Sequence, residues 1–221
     1  MKQKLLWIVV TVCRLLVAAA FIFSGVTKMI DPHGTEYKLH DYAEAFHLGS
    51  LMPDTIALVL GMVLALVEFR IGISTLFGIH RRVASRAALV FMSVFTPLTL
   101  YLAIANPVSD CGCFGDALVL TNWQTFWKNV VLLFSTIVLV RWHDKQVRMI
   151  SEERQWLVLI YSQLFVLCLG LYALWRLPLI DFRPFKIGAN IVEQTQPQGD
   201  AEFVTTFLME KDGKQQWFSL E

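Results

Sequence analysis

The chain has 221 residues, of which 56% are hydrophobic and 17% charged, with a mean hydropathy of +0.54. Soluble domains average about 45–50% apolar even with glycine counted, and about 25% charged. That contrast excludes an ordinary soluble domain and points to a bundle of membrane helices. The net charge of +1 gives no bulk attraction to nucleic acid.

Crossing a bilayer takes about 20 apolar residues, and five stretches qualify: 5–27, 55–79, 84–105, 124–142 and 156–177. Their backbones must satisfy themselves within lipid, so they are helices rather than strands. The first run opens like a signal peptide, with Lys2 and Lys4, an apolar core and small residues from Ala18 to Ala20. Arg14 interrupts that core and the apolar stretch continues to Val26, so an uncleaved helix is expected.

Between the first two spans, 35–47 reads as a short surface helix. Thr35 is its expected cap, and Leu39, Tyr42, Ala43 and Phe46 form one stripe, as a lid over the bundle mouth would. His33, His40 and His47 repeat every seven residues. Two helical turns separate each pair by about 10 Å, too far for one ion, so no metal is expected.

Basic residues set the orientation. Lys2 and Lys4, then Arg81, Arg82 and Arg86, then Arg141, Lys145, Arg148 and Arg154 mark three cytoplasmic segments. The 28–54 loop holds two lysines and five acids, and the 106–122 loop has no basic residue, so both face outward. Trp123, Trp127 and Tyr101 fit the outer boundary, and Trp142 and Trp156 the inner one. After Pro178 the composition changes, and two strand-like runs around Asp212-Gly213 signal a hairpin. A lone hairpin is marginal in water, so this tail reads as the start of a larger outer domain.

The expected fold is therefore an all-α membrane protein. A four-helix transmembrane bundle (1–145) is followed by a cytoplasmic loop and a fifth spanning helix (146–178), then a short extracytoplasmic β-hairpin tail (179–221). The expected location is a bacterial inner membrane, with the N-terminus cytoplasmic and the 106–122 loop and tail outside.

That outer loop carries the sequence's most unusual element, Ser-Asp-Cys-Gly-Cys-Phe-Gly-Asp at 109–116. In an oxidising compartment two cysteines so close need a reason to be there. Cys111 and Cys113 could be a redox dithiol, since exchange needs an accessible thiolate and a nearby resolving thiol. Gly112 would permit the contorted backbone, and Asp110 and Asp116 could take protons. A metal pair is a second reading, although a closed zinc site wants four ligands. A static bridge is a third, although so short a loop removes little chain entropy. Cys13 and Cys168 lie in apolar runs, where a lone cysteine behaves as a small hydrophobe.

Ionisable groups inside the membrane face inward or pair. Counting from the helix ends puts Arg14 and Glu68 at similar depth, so they are expected to pair, as a structural lock or as a polar floor beneath a cavity. Arg70 lies in the same span as Glu68. Lys28 is expected to snorkel outward, close enough to the cysteine loop to lower a thiol pKa.

Phe-Ile-Phe-Ser-Gly-Val-Thr-Lys at 21–28, Glu-Phe-Arg-Ile-Gly-Ile-Ser-Thr at 68–75 and the Cys-Gly-Cys-Phe-Gly loop together resemble the DoxX/MauE membrane family over roughly residues 10–142. The resemblance implies a four-helix membrane bundle. Its MauE branch implies maturation of methylamine dehydrogenase, a disulfide-rich periplasmic enzyme, and its DoxX relatives imply quinone-linked chemistry. The bundle is also similar to vitamin K epoxide reductase, but that family uses Cys-x-x-Cys and a second outer pair, which this chain lacks.

The expected function is thiol–disulfide exchange at Cys111 and Cys113, with Asp110 and Asp116 assisting. Ser24, Lys28, Glu68 and Arg14 would line a site for a membrane carrier such as quinone, and the partners would be the lipid bilayer and a thioredoxin-like extracytoplasmic protein or domain. The alternative is a non-enzymatic assembly factor with a static bridge.

Overall fold

A computed structural model of the chain describes residues 2–47, 49, 52–108, 111–176, 178–180, 206–211 and 214–219. Helix α1 (Lys2–Ile30) runs almost directly into α2 (Pro32–Ala45). The break falls there because Asp31 accepts from the Gly34 N–H. Pro32 then opens α2 at a position that needs no donor. The expected cap, Thr35, is instead one turn inside the helix and buried against Gly61. Asp31 beside a proline was the stronger start signal.

Helix α3 (Asp54–Phe77) ends at Gly78, which adopts φ +67° and returns its N–H to the Ser74 carbonyl. Helix α4 (Arg81–Ala105) follows, then the cysteine loop. Helix α5 (Asn122–Arg141) begins with a reciprocal Thr121–Gln124 capping box. Helix α6 (Gln155–Trp175) comes last in this unit. The α5–α6 connection folds over the α3–α4 turn: Met149 donates to the Phe77 carbonyl, and Gln146 donates to Ser85 and to the Leu139 carbonyl.

Helices α1, α3, α4 and α5 form the bundle, with α1 against α3 and α5, and α4 against α5; α6 packs outside, on α1 and α3. One apolar core joins Val10, Val17, Phe21, Met92, Leu132 and Leu139, and a second joins Met29, Phe69, Ile79, Leu159 and Val166. Cys13 is buried in the first core, whereas Cys168 is exposed on α6. The tightest seam is α1–α3. A Cβ at Gly25 would come within 2.7 Å of the Ala65 carbonyl oxygen, and one at Gly72 within 2.7 Å of the Ile22 nitrogen. Small residues are what let membrane helices approach so closely.

All five expected spans are present as helices long and apolar enough to cross a membrane. Their outer surfaces expose Val12, Leu16, Val90, Val94, Phe134 and Phe165, as a lipid-facing belt requires. The chain is a membrane protein. The chain divides into two units, Met1–Arg183 and Pro184–Glu221. Within the second, β1 (Thr206–Lys211) pairs antiparallel with β2 (Lys214–Ser219), Thr206 opposite Ser219. The Asp212-Gly213 turn expected from the sequence lies outside the described residues.

The seam makes a direct prediction. Gly25→Ala should cost about 1–3 kcal/mol by overpacking, because the atoms it meets are backbone. Gly49→Ala meets only the Glu44 side chain at 3.6 Å and should be nearly neutral. Thermal unfolding in detergent compares the two.

Candidate functional site

The α1–α3 seam fixes which charges can meet. Gly25 lies against Ala65 and Phe69, and Gly72 against Ala18 and Ile22. This register sets Ser24 and Lys28 level with Glu68, and Arg14 level with the far end of α3. The expected Arg14–Glu68 pair therefore does not form. Arg14 donates to the Val147 carbonyl at 2.8 Å and lies 3.8 Å from the Met149 sulfur. Counting inward from both helix ends failed because α3 extends well past the end of α1, so equal counts are not equal depths.

Glu68 pairs instead with Lys28. The ammonium lies 2.7 Å from each carboxylate oxygen, and both side chains are buried. Lys28 does not snorkel, because the Glu68 carboxylate is within reach of its ammonium. Lys28 also donates to the Ser24 hydroxyl at 3.2 Å. That hydroxyl reaches two acceptors: Glu68 Oε2 at 2.8 Å and the Cys113 carbonyl at 2.6 Å. It has one proton, so it can serve only one of them at a time. The ion pair thus communicates with the cysteine loop through a single hydroxyl. Arg70 is exposed on the helix surface and plays no part here.

The loop is held at both ends and from above. Asn122 donates to Asn106 Oδ1 and to the Val108 carbonyl, tying the start of α5 to the end of α4. Gly112 adopts φ +60°, and a Cβ there would lie 2.9 Å from Cγ of Lys38 on α2. Glycine is required twice over, by the backbone and by the lysine stem lying across it. The Tyr42 hydroxyl, also on α2, donates to the Cys111 carbonyl at 2.6 Å. Phe114 is buried edge-on to Phe23, and Lys128 Nζ sits 4.0 Å from its ring centroid. Sequence reading missed Tyr42 and Lys38 as loop contacts, and Lys128 altogether. The apolar stripe on α2 was visible, but nothing in it said that Tyr42 caps the cysteines.

The two sulfurs lie 2.6 Å apart as free thiols. Their environments differ in consequence. The Cys111 thiol is drawn down to about 7, first by a hydrogen bond from the Cys113 thiol, with burial opposing; Tyr42 and the positive charges of Lys128 and Lys28 add to the lowering. Cys113 is pushed well up, because it holds the shared proton, is buried, and faces the Cys111 charge. One thiol is a nucleophile near neutral pH, and the other keeps its proton.

Beneath the pair is a cavity of about 270 Å³. Phe21, Phe91, Phe95 and Leu132 line it, together with Ser24, Lys28, Glu68, Lys128, Asn129 and both cysteines. Among the expected site residues, Cys111, Cys113, Ser24, Lys28 and Glu68 come together here, and Arg14 does not. Asp110 and the Asp116 side chain lie outside the described residues. Asp116 contributes backbone to a single helical turn, Gly115–Ala117.

Four apolar spanning helices around a cavity roofed by a dithiol, with a fifth packed outside them, define a polytopic membrane protein with a buried cysteine site. The family model described as methylamine utilisation protein MauE matches residues 4–142, and the chain belongs to that family. No curated protein and no solved structure matches the chain.

Two outcomes follow from this geometry. Below pH 7 Cys111 is protonated and above it ionised, so its alkylation rate in the reduced protein should rise with a midpoint near pH 7. Tyr42→Phe or Lys128→Met should move that midpoint upward, read by iodoacetamide labelling against pH. Separately, Lys28→Met leaves Glu68 buried alone and should cost about 3–5 kcal/mol. The double variant Lys28→Met/Glu68→Met should recover most of that loss, measured by unfolding in detergent.

Proposed function

We propose that the protein is a membrane thiol–disulfide redox protein. Cys111 and Cys113 would cycle between dithiol and disulfide, exchanging electrons between a thioredoxin-like extracytoplasmic partner and a membrane carrier such as quinone. The observation that carries this reading is the asymmetric pair: adjacent sulfurs, one drawn down to about 7 and one held protonated. A static bridge gains nothing from a low-pKa thiol, whereas exchange requires one.

The step on the partner side balances as follows. The Cys111 thiolate attacks a disulfide sulfur of the partner, forming a mixed disulfide and releasing one partner thiolate. Cys113 then gives up its proton and attacks the Cys111 sulfur. The Cys111–Cys113 disulfide forms, the second partner thiolate leaves, and the partner has gained two electrons. The pair is restored by two electrons and two protons from a quinol, which becomes quinone; the reverse sequence oxidises the partner. The apolar cavity with Lys128 and Asn129 in its wall suits a carrier with an apolar body and a polar head. Here the quinone is a substrate, not a resident group.

The pattern of basic residues supports an inner-membrane orientation with the N-terminus cytoplasmic and the cysteine loop and C-terminal strands extracytoplasmic. The family's description concerns methylamine utilisation. A dithiol that passes oxidising equivalents suits the maturation of a disulfide-rich client, and this links the redox reading to the family.

The test is alkylation trapping in intact cells. Wild-type protein should show both dithiol and disulfide forms, shifting with added reductant. Cys111→Ser should abolish exchange, and Cys113→Ser should accumulate a mixed disulfide with the partner. A single redox state unmoved by reductant, with no effect of either serine, would favour the static bridge of an assembly factor and overturn the proposal.

A further inference from the structure

A second cluster of chemically capable side chains sits where α2 meets the start of α3. Glu36 and His40 are four residues apart and share one face of α2. Asp54 is the first residue of α3. One ligand atom from each of the three lies within 4.8 Å of the others. The seven-residue histidine repeat does not supply this cluster. His47 lies beyond the end of α2 at φ +58°, and only His40 of the three takes part.

Asp54 is exposed, but two features set Glu36 and His40 apart from a solvated group of charges. Glu36 is 7% exposed. Among the described residues no lysine or arginine pairs with it. Its partner is His33 Nδ1 at 2.7 Å, which is a cation only when protonated. A buried carboxylate ordinarily has a cation or a metal beside it. The second feature is His40 Nε2. It is shut off from solvent and makes no hydrogen bond, although Asp54 Oδ1 is only 3.2 Å away. An enclosed nitrogen 3.2 Å from a carboxylate oxygen, with no hydrogen bond between them, is placed as a co-ligand of that carboxylate would be.

We propose that Glu36, His40 and Asp54 form a site for a divalent first-row cation, Zn²⁺ by ligand chemistry, that ties α2 to the start of α3. One imidazole nitrogen and two carboxylate oxygens, at about 2.0–2.2 Å from the ion, make three zinc ligands and leave the fourth position to water. Calcium takes six to eight oxygens and magnesium keeps octahedral oxygen geometry, so the imidazole selects against both. His33, bonded to Glu36, is positioned to orient that carboxylate from outside the coordination shell. Because α2 also carries Tyr42 and Lys38, an ion here fixes the element that covers the cysteine loop.

The experiment removes the thiols, so that they cannot bind the metal and so that its result is independent of the redox reading. Full-length protein carrying Cys111→Ser and Cys113→Ser is stripped of metal in detergent and titrated with ZnCl₂ by calorimetry, with CaCl₂ in a parallel arm. One Zn²⁺ per chain is expected, with His40→Ala weakening binding at least about 100-fold and Asp54→Asn about 10-fold. Asp54 is at the surface, so that variant folds even if a change at Glu36 does not. Hydrogen exchange across α2 should slow with Zn²⁺, and not in His40→Ala. No bound Zn²⁺, equal binding by His40→Ala and Asp54→Asn, or a preference for Ca²⁺ overturns the site. Zn²⁺ binding without slower exchange in α2 overturns its role as a tie.

Discussion

The structure depends on how closely α1 approaches α3. Lipid is as apolar as leucine, so helices in a membrane gain little from burying apolar surface against each other, and packing must hold them. Gly25 and Gly72 remove the side chains that would keep the backbones apart. Once the helices touch, Ser24 and Lys28 are level with Glu68, and an ion pair closes where neither charge could stay alone. Isolated charges in so dry a place cost several kcal/mol each. They persist here because both carboxylate oxygens, the ammonium and the hydroxyl bond one another. The pair is weak evidence of stability, but it fixes register: one turn of slip between α1 and α3 would strand both charges.

The cysteine loop is built on that register. Its floor is Ser24, whose hydroxyl meets the Cys113 carbonyl, and its cover is α2, through Tyr42 and the stem of Lys38. Gly112 is the only residue type that satisfies both the positive φ and the lysine stem above it. Lys28 and Lys128 bring positive charge toward the sulfurs, and both favour the ionised form of Cys111. Among the described residues of the cavity wall, Glu68 is the lone carboxylate. A thiolate at Cys111 is the complementary anion to the two lysines.

Much of this was legible in the sequence, and the failures have physical causes. Length and hydropathy give all five spans, because a bilayer imposes a minimum apolar run. The Cys-Gly-Cys element announces itself by its spacing, and Gly112 does adopt the backbone that spacing required. Arg14 was paired with Glu68 because depth was counted along each helix separately. Relative depth is a property of two helices in contact, and here Gly25 and Gly72 encode it. Such glycines read as mere tolerance until the partner helix is known. Thr35 reads as a cap only if the surface helix starts at 35; α2 starts at Pro32, with Asp31 as its cap. Lys128 lay inside a span and was passed over, although a lysine in hydrocarbon is a signal in itself. The role of Tyr42 could not have been found, since it arises from a contact between α2 and the cysteine loop.

The burial of the dithiol bears on what can reach it. Cys111 is 7% exposed and roofed by α2, while the space beneath it is lined with aromatic rings. On the redox reading, a small apolar carrier held in that space would meet the sulfurs without disturbing the fold. A protein thiol arriving from water meets Tyr42 and Lys38 first, and must displace them before a sulfur–sulfur approach is possible. On the proposed reading, the two half-reactions therefore use opposite faces of one pair, and only the aqueous one requires α2 to move. That separation has a chemical benefit. A low-pKa thiolate left open to water would exchange with any disulfide it met and would be oxidised without control. On the same reading, covering the pair with α2 would confine exchange to partners able to move that helix, and the contacts of Tyr42 and Lys38 would set the specificity of the site as much as the sulfurs.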